Sequence, residues 1–127
     1  MTTQVMPHVL SSGTITGDSV VNSQGENLGS IKDLMIEIES GQVAYAVLDF
    51  GSFLGMGGKL FAVPWHALQL QPEQKRFQLD VRKEQLEQAH GFDPDHWPDM
   101  ADRSWQTDVH KVYGLQPYWE RAQHYTG

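Results

Sequence analysis

Short apolar stretches, separated by Gly, Asn, Ser and Pro, run from about residue 13 to residue 81. This spacing is typical of an all-β unit built from short strands and tight turns. Residues 18–22 are the first predicted strand, and Gly25 in the following turn can adopt a positive φ without steric cost. The pattern over this region predicts about six strands.

The second strand is predicted from an alternation of apolar and other positions. Leu34, Ile36 and Ile38 recur at every second position, which predicts that these three side chains face the core. Ile31 lies out of phase with them. Because Ile31 and Leu34 can both face inward only if the strand carries an extra residue, we expect a β-bulge near Asp33.

The remaining strands follow from the same kind of pattern. Residues 43–48 are apolar on both faces, as expected of a central strand that is covered on two sides. Residues 59–63 are predicted to form the next strand, residues 64–67 a corner and residues 72–75 a hairpin loop. The last strand places three apolar side chains on one face: Phe77, Leu79 and Val81.

Beyond residue 81 the pattern changes to two short helices with a proline-interrupted connection. Residues 82–89 are predicted to form the first helix, with Gly91 close to its end. Asp102 is a suitable N-cap for the second helix. In that helix, three side chains at positions i, i+4 and i+7 form an apolar stripe: Trp105, Val109 and Val112.

Aromatic side chains are frequent in this C-terminal part of the chain. Trp97, Trp105, Tyr118 and Trp119 together carry more apolar surface than a monomer usually exposes. We therefore expect them to contact either the β unit of their own chain or another protein.

The pattern divides the chain into three regions. Residues 1–12 are polar and aperiodic, and we expect a flexible tail there. Residues 13–81 are predicted to form the β domain, and residues 82–127 a helical, tryptophan-rich extension. The chain of 127 residues is long enough for one such domain with a modest core.

The charge balance bears on the class of partner. The chain has 9 Lys and Arg against 16 Asp and Glu, a net charge of −7. This makes nucleic acid an unlikely partner, because affinity for nucleic acid comes mostly from Lys and Arg that neutralise phosphates. Two adjacent basic pairs flank the last predicted strand, and if they converge they leave an RNA- or ribosome-associated role as the alternative. These residues are Lys75, Arg76, Arg82 and Lys83.

The N-terminus lacks the pattern of a secretory signal peptide. No apolar run approaches the roughly 20 residues that a membrane-spanning helix needs. We therefore expect a cytoplasmic protein with no membrane span.

Several kinds of chemistry are excluded by residue type or spacing. The absence of cysteine excludes thiolate catalysis and Cys-ligated metal centres. The glycine-rich loop of residues 51–58 does not match a phosphate-binding loop, since Phe53 and Leu60 stand where Gly and a hydroxyl residue are required. The aspartates of residues 93–102 do not follow the EF-hand pattern and are expected to form turns and helix caps.

Histidines and carboxylates could in principle supply an acid–base pair. The chain has no GxSxG nucleophile motif, however, and we interpret His66 and His110 as packing or surface residues. We therefore predict no enzymatic activity, no catalytic residue, no cofactor, no bound metal and no small-molecule substrate.

Three apolar side chains lie in the glycine-rich loop: Phe53, Leu54 and Met56. A flexible connection between two strands explains the glycines, but it does not explain these apolar side chains. Apolar side chains on exposed loops are often contact points. We expect them to contact a protein partner or a second copy of the chain.

Three segments of the β domain carry the motifs of a known family. They read GDSVVNSQGENLGSIKDLMIE at residues 17–37, GQVAYAVL at residues 41–48 and KLFAVPW at residues 59–65. Together they resemble the PRC-barrel domain over roughly residues 14–81. The resemblance implies an all-β fold with a helical extension, namely a small, bent, six-stranded β-barrel followed by two short C-terminal helices.

The family is named for the cytoplasmic domain of the photosynthetic reaction centre H subunit, and it includes the C-terminal domain of a ribosome-maturation factor. The C-terminal segments GFDPDHWPDMAD and YGLQPYW are similar to those of stand-alone bacterial PRC-barrel proteins. The resemblance implies a non-enzymatic interaction module. We therefore expect an adaptor that docks on a protein partner or self-associates as a homo-oligomer. The photosynthetic role does not carry over, because no membrane span is expected. The ribosomal role has less support, because residues 1–12 are too short for the separate N-terminal domain of the ribosome-maturation factor, and it is kept only as the alternative.

Overall fold

The computed structural model describes residues 9–51, 58–71, 73–89, 91–117 and 119. Within these residues, six strands form one mixed sheet. The strands are β1 (Ser19–Val21), β2 (Asn27–Ile36), β3 (Val43–Phe50), β4 (Lys59–Pro64), β5 (Leu68–Gln71) and β6 (Arg76–Leu79). Three short helices accompany them: α1 (Ser12–Ile15), α2 (Lys83–Gln88) and α3 (Arg103–Val112).

The strands lie in the order β4-β3-β2-β1-β6-β5. Strands β1 and β6 are parallel, and every other neighbouring pair is antiparallel. The sheet curls into a half-barrel, and a 3-10 turn at Trp65–Ala67 connects β4 to β5. The predicted six-stranded, bent β architecture with short helices is therefore confirmed.

The predicted bulge in β2 is present. The pairing of β2 with β3 shifts register between Ile31 and Asp33, so that Lys32 is the extra residue. Because of this shift, Ile31 is buried in the core while Leu34 packs against it from the same side. A β-bulge bends the strand that carries it and increases its twist, which helps the sheet to curl.

The predicted inward alternation of β2 is wrong beyond Leu34. A second register shift lies between Met35 and Ile36, and β2 ends at Ile36. Ile36 is 50% exposed, and Ile38, in the turn that follows, is 93% exposed. The period-two pattern extended the strand too far because it contains no signal for the second irregularity.

The core lies inside the curled sheet. Alternate residues of β3, among them Ala46 and Leu48, point into it, as do Phe77 and Leu79 of β6. Leu86 of α2 also belongs to this core, so that α2 closes one side of the half-barrel. The predicted inward face of the last strand is confirmed for Phe77 and Leu79.

Helix α1 was not predicted from the sequence, which placed Ser12 in a flexible tail. Its N-cap is Ser11, whose hydroxyl oxygen accepts a hydrogen bond from the Thr14 amide. Ile15 at the end of the helix is buried in the core. A helix of one turn is too short to produce a periodic apolar pattern, because a single buried residue defines its inner face.

The two helices predicted beyond residue 81 are present as α2 and α3. The Arg82 amide donates to Gln85 Oε1 at the start of α2. At the start of α3, the predicted N-cap Asp102 accepts a hydrogen bond from the Ser104 amide at 2.8 Å. In the part of the chain that the structure describes, no helix is long and apolar enough to cross a membrane.

Candidate interaction surface

Helix α3 and the segment before it cover the outer face of β3 and β4. Ala44 and Tyr45 of β3 and Ala62 of β4 form a second buried cluster on that face. The Tyr45 ring lies edge-on to the Trp105 ring, with 5.5 Å between the centroids. Strand β3 is therefore buried on both faces, as its apolar sequence predicted.

The aromatic residues of the C-terminal region contact their own chain where the structure describes them. The Trp119 ring lies 5.9 Å from the His110 ring. The Trp97 ring lies 5.3 Å from the Phe92 ring and stays 37% exposed. Trp105 and Trp119 therefore lie in one cluster on the β3–β4 face, whereas Trp97 packs on Phe92.

Four of the residues predicted to contact a partner are outside the described residues. They are Phe53, Leu54 and Met56 of the glycine-rich loop and Tyr118 of the C-terminal region. The proposal that they make intermolecular contacts remains a prediction from the sequence.

The apolar stripe predicted for α3 is wrong at its C-terminal end. Trp105 and Val109 pack against the outer cluster, but Val112 is 71% exposed. Two polar residues, Gln106 and His110, are buried instead. The helix is therefore rotated so that its inner face combines apolar and polar side chains.

His110 is held by hydrogen bonding and ring packing. Its Nδ1 lies 2.7 Å from the backbone carbonyl oxygen of Gln106. Because a carbonyl only accepts, Nδ1 carries the hydrogen in this contact. The Tyr45 hydroxyl lies 3.4 Å from the same nitrogen, and the two rings are 5.5 Å apart. His110 is thus a buried packing residue, whereas His66 is exposed.

A groove of about 430 Å³ lies between the end of the β2–β3 hairpin and the start of α3. One wall is the segment from Met35 to Glu39, and the opposite wall contains Met100, Arg103 and Gln106. Ile36 and Ile38 lie in the hairpin wall and expose much of their apolar surface. Burying one such side chain in a contact would stabilise that contact by about 1.5–3 kcal/mol.

Gln106 in the wall of the groove has an unsatisfied acceptor. The residue is 5% exposed, and its Nε2 donates to the Met100 carbonyl oxygen. Its Oε1 is buried and has no hydrogen-bond partner in the described structure. An unsatisfied buried acceptor costs about 1–3 kcal/mol, so this side chain lowers the stability of the fold.

The groove is lined by more acidic than basic side chains. Glu37 and Glu39 lie in the hairpin wall, and Arg103 is the one basic residue among the described lining residues. The Arg103 guanidinium lies 4.0 Å from the centroid of the Trp119 ring, on which it stacks. The groove is therefore apolar with a slightly acidic rim.

A smaller cavity of about 190 Å³ lies on the other side of α3, between the helix and β4. The chain beyond α2 closes it, because Phe92 pairs with Leu60 through two backbone hydrogen bonds of 3.0 and 2.8 Å. Tyr113 lies in the wall of this cavity, and burial raises the pKa of its phenol above the usual value. Its volume is below the range of about 300–1,000 Å³ that is usual for ligand pockets.

Two aspartates of the segment before α3 form turn and helix caps. Asp99 accepts a hydrogen bond from the Ala101 amide, and Asp102 caps α3. Within the described ranges, no group of three potential metal-ligating side chains is close enough to hold an ion. The interpretation of these aspartates as turn and cap residues agrees with this geometry.

The two basic pairs lie at opposite ends of β6. One pair opens the strand and the other follows its end: Lys75 with Arg76, and Arg82 with Lys83. The Arg76 Nε donates to Gln71 Oε1 at 2.8 Å. Desolvation raises the pKa of the Asp18 carboxyl, and the nearby Lys75 ammonium partly lowers it again. The two pairs are therefore separated along the chain by the length of β6.

Reasoning from the sequence did not identify the groove. The exposure of Ile38 depends on where β2 ends, and the burial of Gln106 depends on the rotation of α3. The hydrophobic pattern placed both incorrectly. The turn residues Ser40 and Gly41 marked the end of the hairpin, but they did not show that Ile38 lies outside β2.

A family model described as the PRC-barrel domain matches residues 7–86. A search of the curated proteins found no relative. The match ends inside α2, so the hairpin wall of the groove lies within the matched region and the α3 wall lies beyond it.

Proposed function

The chain belongs to the PRC-barrel family, and from that premise we propose that it is a non-catalytic interaction module that docks on a protein partner or on a second copy. PRC-barrel domains are generally non-catalytic. The described residues form a groove whose lining is mainly apolar.

The observation that carries this proposal is the exposed apolar surface at the end of the β2–β3 hairpin. Ile36 and Ile38 stand beside the groove and expose 50% and 93% of their surface. An exposed apolar patch next to a concave surface is typical of protein-interaction sites. This surface adds a second candidate contact to the one predicted from Phe53, Leu54 and Met56.

The RNA- or ribosome-associated alternative has less support. It required the four basic residues around β6 to form one patch, and they lie at opposite ends of the strand. The net charge of −7 also opposes binding to phosphates.

The proposal is tested by comparing partners of the natural chain with those of the double variant Ile36→Ser/Ile38→Ser. Tagged chains are purified from the native cell, and the proteins that accompany them are quantified by mass spectrometry. Light scattering on the purified chains over a range of concentrations measures self-association in parallel. We expect a partner, or the self-associated form, to be reduced at least about tenfold by the double variant.

Val112→Ser is the matched control, because Val112 is also an exposed apolar residue but does not line the groove. It should retain the partner. If neither accompanying proteins nor the oligomeric state differ between the double variant and this control, the hairpin surface is not the interaction site.

A further inference from the structure

Helix α3 and its flanking residues form a layer of their own on the outer face of β3 and β4. We infer that residues 93–117 and 119 are a lid, which opens as a unit from this face while the curled sheet and its inner core stay folded. Opening uncovers the buried cluster of Ala44, Tyr45 and Ala62. The inference concerns a motion of the chain itself, so it stands or fails independently of the proposed interaction function.

The backbone hydrogen bonds of the lid are local. Within the described parts of the chain, each backbone hydrogen bond of residues 93–117 joins two residues of that same stretch, as between Asp102 and Asp99. The preceding backbone hydrogen bonds, between Phe92 and Leu60, do reach the sheet. The lid can therefore leave β3 and β4 without breaking a backbone hydrogen bond to either strand, and its hinge follows Phe92.

Helix α2 is attached to the sheet in a different way. Leu86 belongs to the inner core cluster. The Lys59 Nζ of β4 donates to the Glu87 carbonyl oxygen at 3.2 Å, close to the end of the helix. These contacts hold α2 on the sheet, on the side of the hinge that does not move.

Side-chain packing holds the lid closed. Trp105, Val109 and Trp119 pack against the outer cluster. Because these three side chains share one face of the sheet, we expect their contacts to form and break together. Tyr113, which follows α3, also packs against the inner core cluster, and its ring leaves that contact in the same step.

The closed lid carries a polar atom that water satisfies in the open form. Gln106 is 5% exposed, and its Oε1 is buried without a hydrogen-bond partner. When the lid opens, water donates to this oxygen, which shifts the equilibrium toward the open form by about tenfold. The hydrogen bond from His110 to the backbone carbonyl of Gln106 joins two residues of α3, so it does not tie the helix to the sheet.

Unfilled space lies on both flanks of α3. The groove of about 430 Å³ lies along one flank, and the cavity of about 190 Å³ lies along the other. Closely packed interiors leave few voids larger than a water molecule, and a side chain that faces unfilled space has fewer contacts on that side. Trp105 and Val109 border the smaller cavity, so the packing that closes the lid is incomplete.

The test is native-state hydrogen exchange of the full chain, followed amide by amide by nuclear magnetic resonance in low concentrations of urea. A helix of 10 residues is marginal in water on its own, so the amides of α3 should exchange whenever the lid is open. We expect them to be protected at least about a hundredfold less than the slowest amides of β2 and β3. Urea should accelerate their exchange less steeply than that of the core amides, because opening exposes only part of the buried surface.

Two results of this measurement would overturn the inference. If α3 and the core show the same protection and the same dependence on urea, the helix is released only by complete unfolding. If the exchange of α3 does not depend on urea at all, the helix frays locally and the outer face stays covered.

Substitutions in the two layers give a matched set. Val109→Ser weakens the closed form relative to both the open and the unfolded forms, so it should lower the protection of α3 and of the core equally, by about tenfold. Ile31→Val removes a methylene from the inner core, and it should lower the protection of the core about fivefold while that of α3 stays unchanged. Val112→Ser, at an exposed position of α3, should change neither. An equal effect of Ile31→Val on α3 and on the core would contradict a separate lid.

A single introduced cysteine tests whether the outer face itself is uncovered. Because the chain has no cysteine, Ala62→Cys in the outer cluster and Ala46→Cys in the inner one each introduce one buried thiol. A water-soluble aromatic disulfide reagent should modify Ala62→Cys at least about a hundredfold faster than Ala46→Cys. Adding Val109→Ser to Ala62→Cys should accelerate the reaction about tenfold further. Equal rates for the two single-cysteine chains would mean that the outer face is uncovered only by complete unfolding, and the inference would be wrong.

Discussion

Gly29 in β2 is required by a close approach between two strands. Its φ is +132°, and a Cβ built on it would lie 2.0 Å from the backbone oxygen of Asp49 in β3. Backbone atoms cannot move away from such a contact without disturbing the β2–β3 pairing. A side chain at this position is therefore opposed by backbone strain and by a steric clash.

We expect Gly29→Ala to lower the free energy of unfolding by roughly 3 kcal/mol or more. Two other glycines serve as controls that separate backbone strain from the steric clash. Gly25 has a φ of +79° but nothing within 4 Å of a built Cβ, so Gly25→Ala should cost about 1 kcal/mol from strain alone. Gly13, with open space and no positive φ, should tolerate alanine. Urea unfolding measures all three, and equal losses for Gly29→Ala and Gly25→Ala would contradict the clash.

Tyr113 should make the protein sensitive to alkali. Burial raises the pKa of its phenol above the usual 10, so the unfolded chain ionises first as the pH rises. The neutral Tyr113 phenol therefore makes its full contribution to the free energy of unfolding below about pH 10. That contribution is lost progressively as the pH rises above this value. Tyr113→Phe cannot ionise, and the natural chain should lose about 1 kcal/mol relative to it by about pH 11.

Urea unfolding of both proteins at about pH 8 and about pH 11 checks this expectation. Other groups that titrate in this range are the same in both chains, so the difference between the two proteins reports Tyr113. A constant difference across the two pH values would show that the phenol ionises equally in both states.

At the scale of single elements, α3 shows what the sequence could predict. Its start was predicted correctly, because the cap at Asp102 is a local interaction between neighbours in the chain. Its inner face was predicted only in part, since Val112 is exposed while Gln106 and His110 are buried. Which side chains face inward depends on the contact of the helix with β3, which is remote in sequence.

The face of α3 can be tested by two matched substitutions. Val109→Ser removes an apolar side chain that packs on the outer cluster, whereas Val112→Ser changes an exposed one. Valine and serine have similar helix propensities, so propensity does not separate the two variants. We expect a loss of about 1–2 kcal/mol for Val109→Ser and a change within about 0.5 kcal/mol for Val112→Ser.

Thermal or urea unfolding of the two variants gives the difference directly. If Val109→Ser and Val112→Ser lower the free energy of unfolding by the same amount, about 1–2 kcal/mol, Val112 faces inward as the sequence pattern predicted.

In β2, the sequence predicted the first irregularity of the strand but not the second. The bulge near Asp33 was predicted because two apolar positions conflicted within one strand, which is visible in the sequence. The second irregularity, after Met35, produces no such conflict, so Ile36 and Ile38 were placed in the core. The same error concealed the groove, since its exposed wall is formed by these residues.

At the scale of the whole molecule, two layers of packing depend on different parts of the C-terminal region. Helix α2 contributes Leu86 to the core inside the curled sheet. Residues beyond α2, among them Phe92, Trp105 and Trp119, pack on the outer face, where Tyr45 is almost completely buried. Removing the two parts separately should therefore have different consequences.

A chain that ends at Ala89 keeps α2 but loses the outer cover. We expect it to be less stable than the full chain and to associate as its concentration rises, because Tyr45 and the edge of β4 become exposed. A chain that ends at Val81 also loses Leu86 from the core, and it should be less stable by a further 2–5 kcal/mol or so. Urea unfolding gives the stability, and light scattering gives the association.

Leu86→Ala in the full chain is the matched control for the inner layer, because it removes the core contact while the outer cover stays in place. It should lower the stability by about 2–5 kcal/mol without causing association. If the chain ending at Ala89 were as stable and as monomeric as the full chain, the outer cluster would contribute nothing to the fold. The segment beyond α2 would then serve only as a wall of the groove, and its contribution would have to appear in partner binding alone.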